Sequence, residues 1–281
     1  MSDPAPEPDS PAERWAPTLP PGGPLELPGR GTTFVRHQPA PPGAPTVLLL
    51  HGIRVTADAN WFTTYPALTE RYGVLAIDHR GHGRGIRSDR AVRLADCADD
   101  AAAAMDALGI DQAIVVGYSM GGPIAQLLWH RHRDRTAGLV LCATAHRFRG
   151  VEPVLEIGPM LLQRLRATAE APSKRSVFDR EVREWVTSEL ALTDRRGVME
   201  AGMSLARFDS TLWIGEVDVP HAVVVTTKDA IVIPARQRRL VAALPNPSVF
   251  EAETDHVGCV SRPAVFVPAL LDAVESLAPS R

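Results

Sequence analysis

A chain of 281 residues, 45% of them hydrophobic, is long enough for one large α/β domain or two small ones and for a sizeable buried core. Its formal charge of -3 excludes the strongly basic face of a nucleic-acid binder, and no apolar run approaches the ~20 residues needed to span a bilayer. The three cysteines, Cys97, Cys142 and Cys259, are odd in number and not in metal-ligand spacing, so they read as small core residues of a protein in the reducing cytoplasm.

In chain order, residues 1–30 form a Pro/Gly-rich lead that offers too little apolar area to order itself, and a flexible tail is expected there. Its first stretch, Met1 to Pro11, has no apolar segment of the kind a secretory signal needs, so none is expected. The domain proper is expected over residues 31–281. It opens on an edge strand, Gly31 to Gln38. Thr46 to Leu50 then reads T-V-L-L-L, a short continuous apolar run that marks a strand buried on both faces of a parallel sheet. Further strands are predicted at Tyr72 to Ile77, Ala113 to Val116, Gly138 to Cys142, His221 to Thr226 and Ser248 to Glu251. Helix-length segments separate them at Tyr65 to Glu70, Leu94 to Leu108, Pro123 to His132, Pro234 to Leu244 and Val265 to Leu277. Such alternation implies right-handed crossovers and a mostly parallel sheet with helices on both faces, in which function gathers at the carboxyl ends of the strands.

One stretch interrupts the alternation. From about Arg147 to Val217 there is no β-rich run. Apolar residues recur at helical spacing instead: Leu155, Met160, Leu161 and Leu165, then Val177, Phe178, Val182 and Trp185, then Met199, Met203 and Leu205. Helices inserted between two strands read as a cap over a site.

The strongest chemical signal is Gly117-Tyr118-Ser119-Met120-Gly121, which follows the strand Ala113 to Val116 and precedes a helix whose first turn suits Pro123. A G-x-S-x-G nucleophile elbow needs that context, because the chain must turn sharply to expose the serine while glycines leave room for neighbouring backbone. A serine hydroxyl needs an oriented base. His256 lies just after Ser248 to Glu251, and Asp229 just after His221 to Thr226. Both therefore fall on the sheet edge that carries Ser119, in the chain order Ser, Asp, His. Of the other carboxylates near these strands, Asp218 precedes its strand, and Asp255 adjoins His256 and should point away from its ring. At the end of Thr46 to Leu50, His51-Gly52 lets backbone come close, so the N–H groups of Ile53 and Met120 become candidates for an oxyanion hole.

Taken together, His51-Gly52, Asp78-His79-Arg80-Gly81-His82-Gly83, Gly117 to Gly122, Lys228-Asp229 and Asp255-His256 resemble the α/β-hydrolase superfamily over about Thr32 to Leu277. The resemblance implies a three-layer α/β fold. It would hold a mostly parallel eight-stranded sheet, helices on both faces and a helical cap of about residues 147–217 after the sixth strand. It also implies that the Asp78–Gly83 loop is structural. Relatives of the haloalkane dehalogenase type carry Asp at the elbow, whereas this chain has Ser119. Where many relatives place an aromatic residue or Gly after His-Gly, it has Ile53-Arg54.

The expected chemistry is hydrolysis of a carboxylic ester or related acyl compound through an acyl-serine, with Ser119, Asp229 and His256 as the catalytic set and no metal or organic cofactor. Gly52, Trp61, Tyr118 and Trp185, with Phe62, Met120 and Met160, are candidates to line the substrate pocket. Two alternatives stay open: the same three residues in perhydrolase (haloperoxidase) or lyase chemistry, and a binding module without turnover. The expected partner is a small acyl molecule, with no nucleic acid and no membrane span.

Overall fold

Period-two alternation in the central strands decides how the molecule is layered. In the computed structural model, which describes residues 16–148, 163 and 180–277, β3 (Thr46–Leu50), β4 (Gly73–Ile77), β5 (Ala113–Tyr118), β6 (Thr136–Cys142) and β7 (His221–Thr226) are almost wholly buried. Successive side chains of a strand point to opposite faces. Leu48, Leu50, Leu75, Ile77, Val115 and Leu141 thus enter one core, while Val47, Leu49, Val74, Ala76, Val116 and Val224 enter the other. That is why these strands read as unbroken apolar runs.

The sheet has eight strands in the order β1-β2-β4-β3-β5-β6-β7-β8. Strands β3 to β8 (Ser248–Ala252) pair in parallel, while β1 (Gly22–Leu27) and β2 (Gly31–Gln38) form an antiparallel edge. On one face lie α3 (Leu94–Ala107) and α4 (Gly121–Arg131), whose Met105, Ile124 and Leu128 fill the first core. Short helices α1 (Ala57–Trp61) and α2 (Tyr65–Thr69) lie on the other face. Between β6 and β7 come α5 (Arg180–Ala191) and α6 (Arg195–Ala206), the described part of the predicted cap. The chain closes with α7 (Pro234–Ala243), α8 (Gly258–Ser261) and α9 (Pro263–Glu275), and Phe266 and Leu270 of α9 enter the same core as α1 and α2. Leu155, Met160, Leu161, Leu165, Val177 and Phe178 lie outside the described residues. No helix among the described residues is long and apolar enough to cross a membrane.

The segment read as a flexible tail needs correction. Within it, Gly22–Leu27 is a strand that pairs with β2 over its whole length. The turn Leu27-Pro28-Gly29-Arg30 closes with an Arg30 N–H to Leu27 carbonyl bond of 2.9 Å, and Gly29 sits at φ 72°. Proline followed by a left-handed glycine is what a type II turn requires. Composition misled because a hairpin edge is held by backbone hydrogen bonds and a turn, with little apolar area needed. Arg30, at the turn, reaches Asp100 of α3 at 2.6 Å and so ties the hairpin to the body.

Candidate active site

The elbow is built by close backbone approach. Ser119 follows β5 directly and has φ 53°, a left-handed conformation that side-chain-bearing residues rarely adopt and that clusters at functional sites. Any Cβ at Gly117 would stand 2.3 Å from the Gly121 carbonyl oxygen, and one at Gly121 would stand 2.0 Å from that of Leu50. Both positions therefore demand glycine. The bend is fastened by the Ser119 N–H, which donates to the Cys142 carbonyl at 3.0 Å, and by the Thr144 hydroxyl, which donates to the Ser119 carbonyl at 2.8 Å.

Three predicted residues meet here. His256 Nε2 lies 2.9 Å from Ser119 Oγ, and His256 Nδ1 lies 2.7 Å from Asp229 Oδ2. A carboxylate only accepts, so Nδ1 carries the ring proton and Nε2 is left to accept from the serine hydroxyl. All three side chains are buried. Asp229 receives the backbone N–H groups of Ile231 and Val232 at 2.8 and 2.9 Å on Oδ1, and the Thr226 hydroxyl at 2.8 Å and Gln237 Nε2 at 3.3 Å on Oδ2. The other two carboxylates are engaged elsewhere. Asp218 lies ahead of β7 and accepts from Trp129 Nε1 at 3.0 Å, and Asp255 accepts from the Val257 N–H at 3.2 Å.

On the opposite side of Ser119 stands the loop after β3. The Gly52 N–H donates to Asn60 Oδ1 at 3.0 Å. Neither the Ile53 N–H nor the Met120 N–H has an acceptor among the described residues. Arg54 follows at φ 66°, so this loop too is held in a left-handed turn. Beneath it, His51 Nε2 accepts from the His79 N–H at 3.0 Å, and its Nδ1 lies 2.6 Å from the Gly52 carbonyl. His79 and His82 pack around His51, with ring centroids 4.2 and 5.5 Å away. Burial pushes the His51 ring down to about 4 and the His82 ring to about 3, and His79 well below its ordinary value. All three are therefore neutral near pH 7. Asp78, first residue of the same loop, accepts from the Ala57 N–H at 2.7 Å and the Arg84 N–H at 2.8 Å, a structural use. No group of three His, Cys, Asp or Glu side chains among the described residues is placed to hold a metal ion.

A cavity of about 20 Å³ opens beside Ser119 and His256. Gly52 and Tyr118 line it, as the sequence suggested; Trp61 and Trp185 do not. Trp61 is wholly buried and meets Tyr118 edge-on at 5.9 Å, while Trp185 of α5 stacks edge-on against Phe62 at 5.1 Å. Trp61 is thus taken up by packing, while Trp185 is only partly buried. Sequence reading overlooked Asn60, Cys259 and Val260 in the cavity wall, and Gln237 behind Asp229. Only Gln237 left a trace, a polar residue three positions before Leu240 on the buried stripe of α7. A second cavity, about 430 Å³ and polar, lies between Arg87, Arg90 and Arg196 and does not include Ser119.

Residues 45–196 match the family model of the alpha/beta hydrolase fold. Over 127 residues the chain is 37% identical to epoxide hydrolase B of Mycobacterium tuberculosis, covering 43% of this chain and 35% of that one. Over 100 residues it is 42% identical to a putative carbamate hydrolase, RutD, of Caulobacter vibrioides, covering 35% of this chain and 37% of that one. The chain thus spans about a third of the length of the curated relatives it matches. Among solved structures, the enol-lactonase of Burkholderia xenovorans superposes with a TM-score of 0.73 at 24% identity, over 90% of this chain and 100% of that one.

Proposed function

The chain belongs to the α/β-hydrolase fold family, and on that premise we propose that it is an enzyme that hydrolyses a carboxylic ester or a related acyl compound through an acyl-serine intermediate. One observation carries the reading: the unbroken run of hydrogen bonds from Asp229 through His256 to Ser119, with the serine held at φ 53°. In this reading Ser119 Oγ attacks the acyl carbon while its proton passes to His256 Nε2. Asp229 holds the tautomer and steadies the imidazolium. Negative charge gathering on the carbonyl oxygen is met by the N–H groups of Ile53 and Met120, of which one such donor is typically worth about 3–4 kcal/mol. His256 then gives its proton to the departing alcohol oxygen as the C–O bond breaks. Water then gives a proton to the same ring as its oxygen attacks the acyl-serine, and His256 returns that proton to Ser119 Oγ as the C–O bond to the serine breaks and the acid leaves.

The names of the curated relatives, a hydrolase of epoxides and a putative hydrolase of carbamates, agree with hydrolysis but differ in the bond cleaved. The choice of an acyl substrate rests on Ser119 itself, since an attacking serine oxygen suits acyl transfer. The test pairs native protein with Ser119→Ala on short p-nitrophenyl esters and on a fluorophosphonate probe, with circular dichroism as the folding check. Turnover and labelling should both vanish in the variant, down to what binding and the oxyanion donors supply. Activity kept near the native level would overturn the assignment of the nucleophile. A folded native protein that neither labels nor turns over would favour a binding module.

A further inference from the structure

The cavity beside Ser119 has a size and chemistry that select among acyl groups. Its volume of about 20 Å³ only just exceeds the about 10–15 Å³ that a single water requires. Every described residue in its wall is buried. The wall's polar atoms are already engaged. Asn60 Oδ1 accepts from the Gly52 N–H, Asn60 Nδ2 approaches Cys259 Sγ at 3.8 Å, and the Tyr118 hydroxyl donates to the His256 carbonyl at 2.8 Å. Burial pushes the Cys259 thiol up to about 12, so it presents a neutral, apolar surface. What remains facing the recess is carbon and sulfur, chiefly from Ile53, Val55, Cys259 and Val260.

Three substituents surround an acyl carbon under attack by Ser119. The oxygen turns to the Ile53 and Met120 amides. A leaving group must sit beside His256 Nε2 to receive its proton and must then escape. The remaining substituent stays on the acyl-serine until water arrives and needs neither a proton nor an exit, so a small apolar recess beside the serine suits it. We propose that this recess is the acyl-side pocket and that it admits a methyl-sized group, making the preferred substrates acetyl esters or acyl compounds of that size. The proposal rests on the hydrolase reading above and names its substrate class. Asn60, Cys259 and Val260 are then the residues that set the limit on acyl length.

The experiment measures kcat/KM of the native protein on p-nitrophenyl acetate, butyrate and octanoate, with Ser119→Ala as control and Val260→Ala and Cys259→Ala as variants that widen the recess. A single methylene in a tight apolar pocket is worth about 10–200-fold, so butyrate should fall at least tenfold below acetate, and either widening variant should narrow that ratio. Butyrate or octanoate equal to or better than acetate in the native protein overturns the acyl limit, as does a ratio unmoved in both variants. Acetate turnover that survives Ser119→Ala instead overturns the hydrolase reading, so the two failures are distinct. Methylboronic and butylboronic acids, which bond to the serine oxygen without turnover, extend the test to calorimetry. Methylboronic acid should bind at least tenfold more tightly, and the reverse order overturns the proposal whatever the ester kinetics.

Discussion

Two buried polar clusters flank Ser119, and they solve the cost of burial in opposite ways. Around Asp229 every carboxylate oxygen is saturated: backbone N–H groups of Ile231 and Val232 on one, and Thr226, Gln237 and His256 on the other. Around His51 the supply is thin. Neither ring nitrogen of His79 has a partner among the described residues, nor has Nε2 of His82. A carboxylate that must stay charged needs donors on all sides, because an unpaired buried charge is very costly. A histidine escapes that demand by shedding its proton, and burial drives all three rings that way. One cluster is thus built to hold charge and the other to exclude it.

The largest effect should come from disturbing the charge-holding side. Asp229→Asn keeps the shape but favours the wrong tautomer of His256, and an equivalent change elsewhere cost about ten-thousand-fold in turnover. A fall of several orders of magnitude on p-nitrophenyl acetate is expected, with an unchanged circular dichroism spectrum. A variant within tenfold of native would mean that another group orients the ring.

Acid should expose the charge-excluding side next. The His51 and His82 rings have folded values of about 4 and 3, below their ordinary value of 6.5. The unfolded chain therefore binds more protons as pH falls beneath 6.5. Stability is full above that pH and is lost progressively toward the folded values, by roughly a few kcal/mol per ring at about 1.4 kcal/mol per pH unit. Asp78 and Glu189, which burial raises, pull the other way. The isolating measurement is melting temperature from pH 7 to 4 for native protein and His82→Met. The variant should show the shallower decline, and parallel curves would refute the assignment.

Gln237→Leu tests how far saturation itself matters. Its amide donates to Thr226 Oγ1 and the Val232 carbonyl at 2.8 and 2.7 Å and accepts from the Thr226 N–H at 2.9 Å. Each group left unpaired costs about 1–3 kcal/mol, so the urea midpoint should drop clearly while turnover falls less than in Asp229→Asn. An unmoved midpoint would show that these bonds are replaceable. Smallest of all should be Asp218→Asn and Asp255→Asn, each within about tenfold of native turnover, because both ring nitrogens of His256 are taken up by Asp229 and Ser119. If Asp255→Asn were the crippled variant and Asp229→Asn stayed active, the acid would have been misassigned.

Much of this was legible before any coordinates. Buried parallel strands announce themselves as apolar runs, and the elbow shows as a compact Gly-x-Ser-x-Gly pattern at the end of a strand, although the carbonyl that excludes a side chain at Gly121 belongs to Leu50. Placing Asp229 and His256 just after β7 and β8 also put them on the serine's edge, since parallel strands all end on one side. The segment Gly22–Leu27 was less legible, because its stability comes from pairing with β2 and its composition points to disorder.

What the residues could not declare is which faces meet. Trp61 and Trp185 have the chemistry of pocket walls, yet Trp61 is buried against Tyr118, and Trp185 meets Phe62 edge-on away from the cavity beside Ser119. Asn60 and Cys259 lie 199 positions apart and meet in the recess, and nothing in either neighbourhood marks them. Strand positions, the elbow and the Ser-Asp-His chain order follow from local pattern and from the shared direction of parallel strands, so they can be read along the sequence, whereas the order of strands in the sheet is set by tertiary pairing. Size and polarity of the recess follow from side chains that converge from the loop after β3, α1, the end of β5, the loop after β8 and α8, and only the folded chain brings those together.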